Sequence, residues 1–227
     1  MKDQASGILH FYKNLKAPNG LPKGVEVLNP FTKKEVLDIN NVFYEKFYSD
    51  DNSRYFLVGI NPGRLGAGIT GLPFTDPMFL EDMLGIKNDF QKKHELSSIF
   101  VYDVIEAYGG AEAFYSDFYF TSVSPLGFTR DGKNLNYYDE RDLEDALKPY
   151  IVDNLHKQVK DLNGQRKVAF CLGQGKNFKY LEKLNKQEGF FEKVLPLPHP
   201  RWVMQYRLKR KAEFIDQYLR TFREAGV

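Results

Sequence analysis

The sequence predicts a three-layer α/β fold with a four-stranded parallel sheet between helices. Four short apolar runs, residues 54–58, 118–123, 167–172 and 191–197, have the length and residue types of strands. Helical segments separate them, so neighbouring strands pair in parallel through right-handed crossovers. Each run also ends in a loop rich in glycine, proline or serine, and in such folds these loops share the carboxyl edge of the sheet. No repeat, low-complexity stretch or linker interrupts the chain. A single domain over residues 1–227 is therefore expected, with an N-terminal helical part (1–50) and a core (51–227).

Residues 6–15 read as a short helix, ended by the turn-rich Ala17-Pro18-Asn19-Gly20-Leu21-Pro22. Asn29-Pro30 is a cap and first-turn pair, followed by Val36, Ile39, Phe43 and Phe47 at helical spacing. The first strand then opens into residues 59–76, which hold five glycines and two prolines in eighteen positions. Such a loop is stiff and allows close approach of backbone to a ligand. A short helix follows Asp76-Pro77, and a longer one spans Ile99 to Tyr108, stopping at Gly109-Gly110. After the second strand comes Ser122-Val123-Ser124-Pro125-Leu126. A polar loop from Thr129 to Tyr138 then turns at Asp131-Gly132. Leu143, Leu147, Ile151, Leu155 and Val159 mark one face of a long helix containing Pro149. The third strand leads through Gly173-Gln174-Gly175 into a helix. The fourth ends at Pro198-His199-Pro200-Arg201, where the prolines predict an extended segment, and a last helix carries Ile215, Leu219 and Phe222.

The 227 residues suffice for one well-packed core, and the net charge of +2 neither requires nor excludes nucleic acid. The single cysteine, Cys171, lies in the third strand and reads as a buried residue of a reducing compartment. No apolar stretch approaches the roughly 20 residues of a membrane span. The first residues lack a signal-peptide pattern, so a cytoplasmic protein without membrane contact is expected.

Several chemistries fail on spacing. A P-loop needs a lysine after its last glycine, and Gly68-Ile69-Thr70 offers none. Gly63, Gly66 and Gly68 run opposite to the order of the dinucleotide fingerprint. Histidines 10, 94, 156 and 199 have no metal-ligand spacing, and a G-x-S-x-G elbow is absent. The topology instead collects Asn61, Phe74, Ser122, Ser124, Gly173-Gln174-Gly175, His199 and Arg201 along one sheet edge. His199 is directed by its flanking prolines. Arg201, Arg207, Lys209, Arg210 and Lys211, interleaved with Trp202 and Tyr206, form a basic cluster that is either a solvated helix end or a phosphate-contacting surface.

Gly59-Ile60-Asn61-Pro62-Gly63 followed by Thr70-Gly71-Leu72-Pro73-Phe74 resembles the first motif of the single-strand-selective monofunctional uracil-DNA glycosylases, within the uracil-DNA glycosylase superfamily. The likeness continues at Leu84-Gly85-Ile86, at Ser122-Val123-Ser124-Pro125-Leu126 with Gly132-Lys133-Asn134-Leu135, and at His199-Pro200-Arg201, which is similar to the second motif. It spans roughly residues 54–220, in the family's order, and is nearest to a bacterial second subgroup. The resemblance implies the uracil-DNA glycosylase-like fold and a monomeric base-excision enzyme acting on single- or double-stranded DNA, with no metal or cofactor. Such an enzyme flips a deaminated base from the helix, at a cost of a few kcal/mol, and hydrolyses its bond to the sugar.

By that resemblance Asn61 orients the attacking water and His199 stabilises the departing base. Phe74 stacks on the base, and the backbone at Ile60 and Gly63 binds its carbonyl oxygens or a phosphate. Arg201, Trp202 and Arg207 contact DNA. Two positions depart from the family. Ser122 stands where an asparagine usually reads the base edge, which opens the pocket to xanthine or hypoxanthine beside uracil. The second motif usually runs His-Pro-Ser-Pro-Arg, whereas this chain reads His199-Pro200-Arg201-Trp202, so the wedge that fills the vacated stack is built differently. The alternatives are a non-catalytic nucleic-acid- or nucleotide-binding protein of the same fold, or an enzyme acting on a free nucleoside.

Overall fold

In the computed structural model, residues 3–227 are described, and Met1 and Lys2, the start of the stretch read above for a signal pattern, lie outside them. The chain begins with α1 (Gln4–Lys13), β1 (Glu26–Leu28), α2 (Lys34–Tyr48), β2 (Tyr55–Gly59), α3 (Ala67–Thr70) and α4 (Pro77–Asp82). It continues through α5 (Leu96–Tyr108), α6 (Ala111–Asp117), β3 (Phe118–Ser122), β4 (Gly127–Arg130), β5 (Lys133–Leu135) and α7 (Arg141–Asp161). The last elements are β6 (Val168–Leu172), α8 (Lys176–Glu188), β7 (Lys193–Leu197), α9 (Pro200–Tyr206) and α10 (Lys211–Ala225).

The four expected strands form one parallel sheet in the order β3-β2-β6-β7, flanked by helices. Residues 56–58, 118–122 and 168–172 are buried on both faces, as continuous apolar runs in a covered parallel sheet must be. The register pairs Gly59 with Ser122 and Leu172 with Leu197. All four strands therefore stop at nearly one level, and their outgoing loops meet there.

A second, antiparallel sheet, β1-β4-β5, was not expected. Residues 129–138, read above as a polar loop, contain half of its hairpin. Asp131 and Gly132 both have positive φ, the geometry of a two-residue hairpin turn whose twist suits the flanking strands. Strands of three or four residues are too short to display an alternating pattern, so only the turn is visible in sequence. Two cap readings also change. Asn29 caps a 3₁₀ turn, Pro30–Thr32, by accepting from the Phe31 N–H at 3.1 Å, and α2 starts later. Pro200 does not prolong an extended segment but occupies the first turn of α9, where its missing N–H and fixed φ are well suited.

At the amino end of β2, the wholly buried Arg54 ties the N-terminal helices to the sheet. Its guanidinium donates to the Phe47 and Tyr115 carbonyls, Gln4 Oε1 and both oxygens of Asp50. It also lies 4.5 Å from the centroid of the Tyr48 ring.

Candidate active site

A cavity of about 380 Å³ opens at the carboxyl edge of the main sheet. Asn61, Phe74, Ser122 and His199 all line it, together with Ile60 and Gly63. The residues that the sequence placed on one edge are thus brought together. Ser124 is not among them: it is fully buried, and its hydroxyl donates to the Leu126 carbonyl at 2.9 Å. Gly173-Gln174-Gly175 borders an adjoining hollow on the other side of His199.

Asn61 follows β2 by two residues and its amide is held by the unexpected hairpin. Its Nδ2 donates to the Leu135 carbonyl at 3.1 Å, and its Oδ1 accepts the Tyr137 N–H at 3.0 Å. Because the Tyr137 group is a donor, the oxygen end of the amide is identified. One lone pair on Oδ1 is left for another donor. Asn134 serves the same loop, its Oδ1 accepting the Arg64 N–H at 3.2 Å.

His199 is the N-cap of α9, and its Nδ1 accepts the Arg201 N–H at 3.2 Å. That bond fixes the tautomer: a neutral ring accepting at Nδ1 carries its proton on Nε2. Burial, with the charge of Arg201 adding to it, pushes the imidazole down to about 4 from the usual 6.5. His199 is therefore a neutral, fixed N–H donor at physiological pH.

Phe74 sits at φ 56°, an uncommon left-handed value for a bulky side chain. Its ring lies 5.3 Å from Phe120 and 6.3 Å from His199, centroid to centroid. Gly59 makes room for it, since a Cβ there would stand 3.2 Å from both the Phe74 ring and Ser122 Oγ. The Ser122 hydroxyl has no hydrogen-bond partner among the described residues. Strain of this kind is retained where the surrounding structure enforces it, often at ligand sites.

The rim comes from α9. Arg201 is exposed and lines the cavity, as do Trp202, Gln205 and Tyr206. Trp202 packs edge-on against Phe214 at 5.7 Å and carries the Arg207 guanidinium over its face at 5.0 Å. Arg207 itself does not line the cavity. Arg210 and Lys211 are committed to Glu213 and Asp103, at 2.7 and 2.6 Å, so the basic cluster offers fewer free charges than its sequence suggests.

A family model described as the uracil DNA glycosylase superfamily matches residues 45–223. The chain belongs to that superfamily. It is a base-excision repair glycosylase, a hydrolase of N-glycosidic bonds whose substrate is DNA. Its fold is similar to the crystal structure of wild-type Pedobacter heparinus SMUG2, at 42% identity and a TM-score of 0.97 over 100% of this chain and 99% of that one. None of the proteins with curated descriptions matches it. Among the described residues no helix is long and apolar enough to cross a membrane.

Nothing in the sequence pointed to Glu95, Ser97, Asn136 or Gln205, which also line the cavity of this glycosylase, and Asn134 stood out only as part of a motif. Tyr206, which the sequence groups with Trp202 in the basic cluster, is 65% exposed and lies at the rim. Nothing local marks Glu95. The thiol of Cys171 is pushed up to about 12 by burial, as expected of an inert strand residue.

Proposed function

We propose that this glycosylase removes uracil, or a related deaminated base, after the base has turned out of DNA into the cavity beside Phe74. The observation that carries the reading is the fixed tautomer of His199, which has its proton on Nε2 and lines the same cavity as Asn61, Phe74 and Ser122. As the glycosidic bond breaks, negative charge develops on the departing base and positive charge on the sugar. A preorganised donor at the base oxygen stabilises that charge more than it stabilises the ground state. Asn61 holds water through its remaining Oδ1 lone pair, and Phe74 stacks on the base, a contact worth about 1–3 kcal/mol.

Ser122 meets the base edge with a single hydroxyl that can donate or accept. This supports acceptance of xanthine or hypoxanthine beside uracil. The Ile60 and Gly63 N–H groups can donate to a carbonyl oxygen or a phosphate, while the Ile60 carbonyl accepts the Ser124 N–H at 3.1 Å. Arg201 and Trp202 meet the DNA at the mouth, with Arg207 steadying Trp202. The protein works as a single-domain, monofunctional and monomeric enzyme of the cytoplasm.

The test is cleavage of single- and double-stranded oligonucleotides carrying one uracil, xanthine or hypoxanthine, with alkali revealing abasic sites. Strand breaks at the modified base are expected. No abasic product from any of them at enzyme excess overturns the reading.

A further inference from the structure

The amide of Asn61 is largely spoken for: Leu135, Tyr137 and Pro62 backbone groups take up its hydrogens and one oxygen lone pair. What remains can orient a water but cannot take its proton, because an amide oxygen is a very weak base. The water that adds to the sugar must nonetheless lose a proton. The cavity has one carboxylate among its described lining residues, Glu95, immediately before α5.

Glu95 is placed from both sides. Its N–H donates to Asp76 Oδ2 at 2.8 Å, while the other oxygen of the buried Asp76 caps α4 through the Met78 and Phe79 N–H groups, both at 3.0 Å. Its carboxylate lies on the glycine loop. One oxygen stands 1.8 Å from where a Cβ on Gly66 would be, and the other 3.8 Å from the Cβ position of Gly63, two residues after Asn61. Gly66 therefore leaves the space that the carboxylate fills.

We propose that Glu95 is a further catalytic residue of this enzyme, sharing the attacking water with Asn61 and taking its proton. The assignment rests on the role given to Asn61 above. As the water oxygen bonds to C1′, one water proton passes to the Glu95 carboxylate. The bond between C1′ and the base nitrogen breaks, and its electron pair leaves with the base, whose charge the His199 Nε2–H holds. The carboxyl then returns the proton to the departed base or to solvent. The charged groups facing Glu95 are Arg201 from α9 and Asp76 from the turn before α4, with Ser97 hydrogen bonding to it. Burial, aided by the Asp76 charge, outweighs Ser97 and Arg201 and holds the carboxyl above its usual range, which makes the carboxylate a better proton acceptor.

Single-turnover cleavage of a uracil oligonucleotide by wild type, Glu95→Gln and Glu95→Ala between pH 4.5 and 8 tests this. Glu95→Gln should lose about 10²-fold in rate at pH 7, within the range of general-base effects. Its affinity for an uncleavable 2′-fluoro analogue and its melting temperature should match wild type. The acid limb of the wild-type profile should vanish in Glu95→Gln, and formate should restore part of the rate to Glu95→Ala. A Glu95→Gln rate within threefold of wild type with the same limb overturns the proposal, as does a loss matched by equal loss of affinity. Wild type that cleaves beside an equally active Glu95→Gln removes Glu95 alone. An inert wild type removes the reading of the whole cavity.

Discussion

Strand β2 is flanked by two polar residues, Arg54 just before its amino end and Asn61 two residues beyond its carboxyl end, and the two are handled in opposite ways. Arg54, at the amino end, is 0% exposed, and its donors are matched by carbonyls, an amide oxygen and a carboxylate. Beyond the carboxyl end, Asn61 keeps a lone pair open to the cavity, Ser122 keeps its hydroxyl, and His199 keeps its Nε2–H. A buried polar group with all its partners stabilises and specifies the fold, while one lacking a partner is costly unless something arrives to bind it. Along β2 that difference separates the end that holds the fold together from the end that borders the cavity.

Replacing each group should therefore have a different consequence. Arg54→Met removes the donor that Phe47, Tyr115 and Gln4 share, and should destabilise the protein by about 3 kcal/mol in urea denaturation. An unchanged midpoint would mean the network is ornamental, and the comparison would break. His199→Ala should do the reverse. Loss of one preorganised donor at a developing oxyanion lowers rates about 10²–10³-fold. Folding stability should hardly change, because only the Arg201 N–H loses a partner. A rate near wild type in single-turnover cleavage would refute the donor role.

The same histidine predicts a pH dependence of stability. Its folded value is about 4, below the 6.5 of an ordinary histidine, so the unfolded chain takes up the proton first as the solution is acidified. The stability associated with neutral His199 is thus present above pH 6.5 and is lost between about 6.5 and 4. Thermal melts of His199→Gln across that window should show a shallower acid decline than wild type. Equal slopes would mean the ring is more solvated than its burial implies.

How legible all this was in the sequence follows the same division. Three of the four parallel strands announced themselves because strands covered on both faces must be continuously apolar, as in Val168–Leu172, whereas β7 at the sheet edge is only partly buried. Asn61, Phe74 and His199 stood out because glycine and proline surround them. What stayed hidden was the support. The hairpin that grips Asn61 uses backbone groups of Leu135 and Tyr137, which carry no side-chain signature. His199 acts as an N-cap, a position that sequence rules give to Ser, Thr, Asp or Asn. Glu95 follows Lys92-Lys93-His94, a charged stretch that looks solvated, and only the Asp76 contact eighteen or nineteen residues away in sequence brings it to the cavity.

Phe74 lies between the two classes, since its ring packs on Phe120 yet borders the cavity. Phe74→Ala should weaken productive binding by about 1–3 kcal/mol, read as a lower rate at subsaturating enzyme. Relief of its left-handed backbone will not follow from alanine, which tolerates φ 56° no better than most residues. A stability loss larger than the catalytic loss would move Phe74 to the scaffold side of the comparison.

The smallest effect, and the most selective, should come from Ser122. Its hydroxyl is the polar group at the end of β3 that meets the cavity, beside Gly59 and Phe74. A hydroxyl rotates to suit either a donor or an acceptor on the base, whereas an amide offers both at once in a fixed plane. Ser122→Asn should therefore leave folding intact and change the ratio of rates on uracil and xanthine by about tenfold, in favour of uracil. That figure corresponds to about 1.4 kcal/mol, the scale of one hydrogen bond gained or left unpaired. Competition assays with both lesions in one reaction read the ratio directly. If the ratio does not move, base choice lies in the backbone at Ile60 and Gly63, and Ser122 is open to the cavity without reading what enters it.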